Sequence, residues 1–269
     1  MSTNDDIFFS QFREDEILDR FFEGKSSGGC VEVGAHDGVT LSTTMYFEMI
    51  GWKCLLIEPI PEFVEKIRRK RTCAVYECAA SSEEGEATFF VTENAEALST
   101  LAITEEQKKR IAAEKAPIRE IRVKKRTLDS ILAQSGFTEL DFITIDVEGH
   151  ELDVLHGFTI EKYRPRIIIV EDNTGQVDRE VPRFLESKGY CNFMRTGVND
   201  WYAKSSDKHL VNSREVRRLR QERHQAYFKY RISKTFAFLT PLLPATVKRI
   251  ADRAISSAYR WSRTLGPPG

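Results

Sequence analysis

A mostly parallel α/β fold is predicted by three observations on this 269-residue chain. Apolar strand-like segments alternate with amphipathic helical ones from residue 30 to residue 188, which is the pattern of βαβ units. Three of those strands, within CVEVGAHDG (30–38), LLIEP (55–59) and ITIDVEGHE (143–151), end in an acidic residue or a glycine turn, and in a parallel sheet such carboxyl ends line one crevice. The last two strands, YCNFMR and DWYAK, follow one another across a short turn, so the sheet ends on an antiparallel pair.

The elements follow in order. Residues 7–23 place Phe8, Phe12, Ile17, Leu18, Phe21 and Phe22 at near-helical spacing, so a leading helix in a unit 1–24 is expected to close over the crevice. After the loop GKSSGG come a strand at 30–33, a helix at 40–50, a strand at 53–57, a helix at 61–70 and a strand at 74–78. EATFFVT (86–92) reads as a further strand, and the Glu- and Lys-rich run 93–120 as a surface excursion. IRVKKRTLDSIL (121–132) is a strand entering a helix, with Thr127 as its cap. A strand at 141–147, a short helix near 151–156, the buried strand RIIIVED (166–172) and a helix near 178–188 lead to the final pair.

With 41% hydrophobic residues the chain can bury one large core, here assigned to 25–204. The five cysteines form no C-x-x-C pair and read as reduced thiols of a cytoplasmic protein. MSTNDDIFFSQFREDE has neither a basic n-region nor a long apolar run, so no secretion or transit signal is expected there. The net charge of −1 is unevenly spread: residues 204–269 hold 15 Lys and Arg against 4 Asp and Glu. A basic extension, 205–269, thus follows an acidic domain.

Glu32, Gly34 and Gly38 form E-x-G-x-x-x-G between a strand and a helix. The glycines let the turn approach a ligand, and the helix start adds a favourable dipole. Glu58 ends the next strand, where a carboxylate accepts from both ribose hydroxyls, so a nucleoside is implied. A pyrophosphate would meet the negative Asp37, whereas the sulfonium and amino group of S-adenosylmethionine tolerate it. Cys78 and Ala79, closing the third strand, fall near the adenine by position. The competing reading makes Glu32 and Asp37 capping or solvated acids.

SQFREDEIL, VEVGAHDG, LLIEP, LST (98–100), RTLDSIL, IDVEGHELDVL and IVEDN together resemble the FkbM family of S-adenosylmethionine-dependent methyltransferases, over residues 9 to 195. The resemblance implies a class I methyltransferase fold, with a Rossmann-like seven-stranded sheet that has one antiparallel strand, and O-methylation, commonly of sugar hydroxyls. By motif position it places Glu32, Gly34, Ala35, Asp37, Gly38, Glu58 and Pro59 at the cofactor, with Gln11 and Asp15 closing over it. Arg13 stands where the family's leading motif often has glycine.

Methyl transfer to an alcohol needs an aligned oxygen and a base for its proton. Asp146, Glu148 and His150 follow the fourth strand, and Glu171 and Asp172 end its neighbour. His150 is the expected base, since an imidazole takes up a proton near neutral pH, with Glu148 and Asp146 beside it. Clustered carboxylates attract Mg²⁺, and the arrangement is similar to that of magnesium-dependent macrolide-sugar methyltransferases, so Asp146, Glu171 and Asp172 form a candidate metal triad. Alternatively Asp146 positions the cofactor's methionine end, Asp172 caps a turn with Asn173, and no metal binds. His156 reads as a packing residue.

In the extension, Val247, Ile250, Ala251, Ala254, Ile255 and Ala258 share one helical face opposite basic residues, the pattern of a basic amphipathic helix. It either rests on an anionic membrane that carries a lipid-linked glycan, placing the enzyme on the inner face of the membrane, or packs on its own domain or in a homo-oligomer. No motif for nucleic acid accompanies the charge. The expectation is an O-methyltransferase of a carbohydrate hydroxyl. Two alternatives stand beside it: an idle module binding nucleoside or membrane, and a nicotinamide-dependent sugar oxidoreductase, which the missing G-x-G-x-x-G disfavours.

Overall fold

A computed structural model of the protein describes residues 7–93, 99–101 and 117–239. The excursion expected at 93–120 and the amphipathic segment 247–258 fall largely or wholly outside the described residues, as does Leu98 of the LST motif.

A seven-stranded sheet runs through the centre. It contains β1 (Gly29–Val33), β2 (Lys53–Glu58), β3 (Ala74–Glu77), β7 (Phe142–Ile145), β8 (Ile167–Glu171), β9 (Tyr190–Thr196) and β10 (Asn199–Lys204). The order is β3-β2-β1-β7-β8-β10-β9, and β10 alone runs antiparallel to its neighbours. The switch in strand order lies between β1 and β7, so both deliver their carboxyl ends to one crevice. The strands expected at 86–92 and 121–126 do not join this sheet. As β5 (Gly85–Thr92) and β6 (Ile118–Arg126) they pair with the short β4 (Ala79–Ala80) in a separate three-stranded sheet.

Each central strand is buried on both faces, which is why its sequence reads as a continuous apolar run. Val31, Val33, Leu55, Ile57, Ile143, Ile145, Ile168 and Val170 point to one face. They pack there on α4 (Leu128–Ser135), α5 (Glu151–His156), α6 (Ile160–Tyr163) and α7 (Glu180–Ser187). The alternate residues Cys30, Cys54, Leu56, Phe142, Ile167 and Ile169 pack on the other face with Leu18, Phe47 and Ile67, from α1 (Glu14–Phe21), α2 (Met45–Met49) and α3 (Pro61–Lys70).

Local chemistry sets the helix ends. Pro61 opens α3, where its missing N–H is no loss, and Arg68, Arg69 and Lys70 complement the dipole at its close. The Thr127 side chain accepts from Ser130 N at 3.2 Å, a cap that contributes about 1 kcal/mol, and Gly136 ends α4 in the left-handed region. The leading helix is shorter than its apolar spacing predicts. Residues 7–13 run as a loop that bridges Ser10 to Leu41, because Arg13 adopts φ 63°, the backbone state that glycine takes most readily. The leading helix packs on the domain through Leu18 and Phe22, which lie in its core.

The chain stays against the domain beyond residue 205. Leu210 is buried, Arg166 pairs with Asp207 at 2.9 Å, and α8 (Ser213–Leu239) lies on β9 with Leu219 and Arg223 buried. The first part of the basic extension is therefore part of the folded domain.

Candidate active site

The switch point opens into a cavity of about 540 Å³, the size that small-molecule sites usually have. Gly34, Ala35, Glu58, Pro59, Cys78 and Ala79 line one part, and Gln11, Asp146, Glu148 and Glu171 line another.

At the first part, β1 passes into its turn with Gly34 at φ 84°. A β-carbon there would lie 1.8 Å from the Asp146 carbonyl oxygen, so the loops after β1 and β7 can meet only because residue 34 has none. Glu58 reaches the cavity at the end of β2. Its Oε2 accepts from His36 N and its Oε1 from Ile60 N, both at 2.9 Å, leaving further lone pairs for a ligand's hydroxyls. Burial pushes the Glu58 carboxyl up to about 8, despite those two donors. The His36 ring lies over Phe63, with centroids 4.1 Å apart.

Three expected cofactor residues are occupied elsewhere. Glu32 borders the cavity, but its carboxylate accepts from Ser42 Oγ at 2.7 Å, Thr43 N at 2.9 Å and Thr44 Oγ1 at 2.5 Å, holding the loop that leads into α2. Asp37 turns outward. Burial opposes its charge, but the Lys70 ammonium at 2.9 Å and the Val39 and Thr40 amides outweigh that and hold its carboxyl well below the usual range. It is thus a charged carboxylate paired with Lys70, and it does not line the cavity. Gly38 packs under α3, and its carbonyl accepts from the buried Arg71.

The leading segment likewise places Glu14, rather than Asp15, at the cavity. Asp15 is fully buried and accepts from Phe9 N and Ser10 Oγ, each at 2.5 Å. Glu14 accepts from Thr196 Oγ1 at 2.8 Å and Asn199 Nδ2 at 2.9 Å, and the Phe12 ring fills the space over Gly197. The segment is thereby fastened to the turn between β9 and β10.

At the second part, ligand atoms of Asp146, Glu148 and Glu171 lie within 4.8 Å of one another. Burial first, and then the charges of Asp146 and Glu148, drive the Glu171 carboxyl far above its ordinary value, so Glu171 holds a proton at neutral pH. Glu148 is buried at φ 53°. Its carbonyl accepts from Thr100 Oγ1 at 3.1 Å, which gives the threonine of the LST motif its place, and its Oε2 faces Asn173 Nδ2 at 3.4 Å.

The metal triad expected from the sequence is not the one the fold assembles. Asp172 belongs to the other side of β8, since alternate residues of a strand face opposite ways. There it accepts from Thr174 N at 2.9 Å and from Arg223 Nη1 at 3.0 Å, and Glu148 takes its place in the cluster. His150 also stands outside the cavity lining. Its Nδ1 lies 3.0 Å from Asp153 Oδ2, while Nε2 is buried with no hydrogen-bond partner among the described residues. His156 packs edge-on against Phe184. Glu14, Asn173 and Asn199 line the cavity without belonging to the acids and glycines to which the strand ends point. Only the acidic pair at 14–15 and the N in IVEDN hinted at two of them, while Asn199 comes into place through the antiparallel turn.

Residues 32–191 match the Methyltransferase FkbM domain. No curated protein matches the chain by sequence. Among solved structures it is similar to a precorrin-6y C5,15-methyltransferase from Geobacter metallireducens (11% identity, 74% of this chain and 93% of that one, TM-score 0.36). It is similar also to an O-methyltransferase from Bacillus cereus in complex with SAH (14% identity, 70% and 78%, TM-score 0.37). A SAM-dependent methyltransferase from Aquifex aeolicus is a third (14% identity, 71% and 89%, TM-score 0.35). Likenesses this distant carry no weight for the chemistry of this chain. The family match is of another kind, for it covers more than half of the chain and takes in the carboxyl ends of all three acid-ended strands. The chain belongs to the FkbM methyltransferase family.

Proposed function

We propose that this protein transfers the methyl group of S-adenosylmethionine to a hydroxyl of a carbohydrate, in a glycan, a glycolipid or a natural product. The observation that carries the reading is one cavity with a buried carboxylate, Glu58, in one part and the cluster of Asp146, Glu148 and Glu171 in another.

The residues present fit the cofactor. Glu58 is a buried acid whose spare lone pairs suit two vicinal hydroxyls. Cys78, Ala79 and Pro59 offer a mostly apolar wall for a purine, and Asp146 suits an ammonium group. When bound, S-adenosylmethionine supplies an electrophilic methyl on a good leaving group. The protein must then hold the acceptor oxygen in line and take its proton.

Glu148 is the residue best placed for that proton. It faces the cavity, and Glu171 beside it already carries the proton that the cluster shares. Asn173 and Asn199 offer amide groups to a polyhydroxylated acceptor. His150, the base expected from the sequence, is the second reading, because its Nε2 is buried without a partner.

Calorimetry with S-adenosylhomocysteine, followed by mass spectrometry of cellular glycans with and without the active protein, tests the assignment. Binding together with a mass difference of one methyl group is the expected result. Retention of a nicotinamide nucleotide with no affinity for S-adenosylhomocysteine would replace this reading with the oxidoreductase one.

The excess of basic residues beyond Lys204 supports a further part of the proposal, that the protein works at an anionic membrane surface, where each such residue contributes about 1 kcal/mol before screening. No helix among the described residues is long and apolar enough to cross a membrane. Co-sedimentation of the full chain, but not of a chain ending at residue 239, with anionic vesicles is the expected outcome. Equal recovery of both would count against it.

A further inference from the structure

Two aspartates outside the cavity share one partner, and each is followed or preceded by an asparagine inside it. Asp172 precedes Asn173 and Asp200 follows Asn199, and both asparagines line the cavity. The Arg223 guanidinium donates through Nη1 to Asp172 Oδ2 at 3.0 Å and through Nη2 to Asp200 Oδ2. Nη1 also donates to the Asp178 carbonyl at 3.0 Å, at the far end of the loop that begins at Asp172. Arg195 completes the ring, donating to Asp200 Oδ1 at 2.7 Å and to the Asp172 carbonyl at 3.1 Å. Asp172, Asp200 and Arg223 are each less than a tenth exposed.

Arg223 comes from α8, which begins after the family match ends at residue 191. Two like-charged aspartates buried side by side require a countercharge, and the planar fork of Arg223 meets both carboxylates and a carbonyl at once. From this geometry we infer that Arg223 is a positioning residue for methyl transfer. By tying Asp172 to Asp200 it fixes Asn173 and Asn199 on the two sides of the acceptor end, and through Asn173 it orients Glu148. The C-terminal helix thereby takes part in acceptor binding without touching the acceptor. The inference rests on the reading of the cavity as a methyl-transfer site.

The test compares full-length Arg223→Lys and Arg223→Met with the parent. Lysine keeps the charge but cannot span all three acceptors, and it serves as the folding control should the methionine variant fail to fold. Three quantities are read: amide exchange over 172–178, affinity for S-adenosylhomocysteine, and kinetics of labelled methyl transfer to a glycan extract from cells lacking the active protein. The expected result for Arg223→Lys is faster exchange in that loop, cofactor affinity within about twofold of the parent, and an apparent KM for the extract raised about tenfold or more with a smaller change in kcat. Unchanged exchange and KM overturn the inference, and so does an equal loss of cofactor affinity, which would mark general damage. If the parent does not bind S-adenosylhomocysteine, the methyltransferase reading itself fails, while the exchange arm still decides whether Arg223 holds the loop.

Discussion

The carbonyl oxygen of Asp146 stands 1.8 Å from the position a β-carbon on residue 34 would take, with Gly34 at φ 84°. The close approach of β1 and β7 at the switch point depends on that missing atom. Gly34→Ala is therefore expected to force the two loops apart, lowering the melting temperature and abolishing detectable S-adenosylhomocysteine binding. A soluble variant that binds as the parent does would show that the approach is dispensable.

Glu58 gives the unliganded protein a pH signature. Its folded value of about 8 exceeds the ordinary 4.5, so between them the folded chain binds more protons than the unfolded one. Stability from this group is fully present below about 4.5 and is lost as the pH rises towards about 8, on the order of a few kcal/mol. Glu58→Gln should melt above the parent near pH 8 with the gap closing near pH 5, and it should weaken S-adenosylhomocysteine binding by about tenfold. Coincident melting profiles across that range would refute the buried-acid account.

The three-acid cluster separates a proton from a cation. With Glu171 protonated, turnover should survive chelation, Glu171→Gln should be mild, and Glu148→Gln should cost about 10² to 10⁴ in kcat. Loss of turnover in chelator that Mg²⁺ restores would place a metal where the proton is assigned.

Arg71 holds the first turn from beneath. Its side chain is fully buried and donates to Glu48 at 2.5 Å, to the Gly38 carbonyl at 2.5 Å and to Ser42 Oγ at 3.2 Å. Arg71→Met leaves Glu48 half-paired and should cost about 3 to 5 kcal/mol in chemical denaturation. A loss below about 1 kcal/mol would mean that the loop is held by Glu32 alone.

Truncation distinguishes an appendage from a part of the fold. A chain ending at Lys204 loses Arg223 and Leu219, so of the two arginines paired with Asp172 and Asp200 Arg195 alone is left. That chain should be aggregated or molten, whereas one ending at residue 239 should melt close to the full-length temperature.

The central sheet was legible because alternation of strand and helix, and burial on both faces, are local properties of sequence. The acids at its strand ends were legible for the same reason, but their partners were not. Asp37 looked free until α3 brought Lys70 to it, and Asp172 looked like a ligand until α8 brought Arg223. β5 and β6 left the main sheet because pairing is decided by long-range contacts that strand propensity does not report. The leading helix fell short at Arg13, where backbone geometry overrode apolar spacing.

Glu14 fastens the cavity's leading segment to Thr196 and Asn199, which lie more than 180 positions further along the chain. Translation delivers these partners in a fixed order. Ser10 and Leu18 find partners early in the sequence, at Leu41 and Phe47, whereas the hold of Glu14 waits for the turn between β9 and β10. The cover of the cavity is therefore closed by a long-range contact, whose chain-closure cost grows only slowly with the length of chain between its ends.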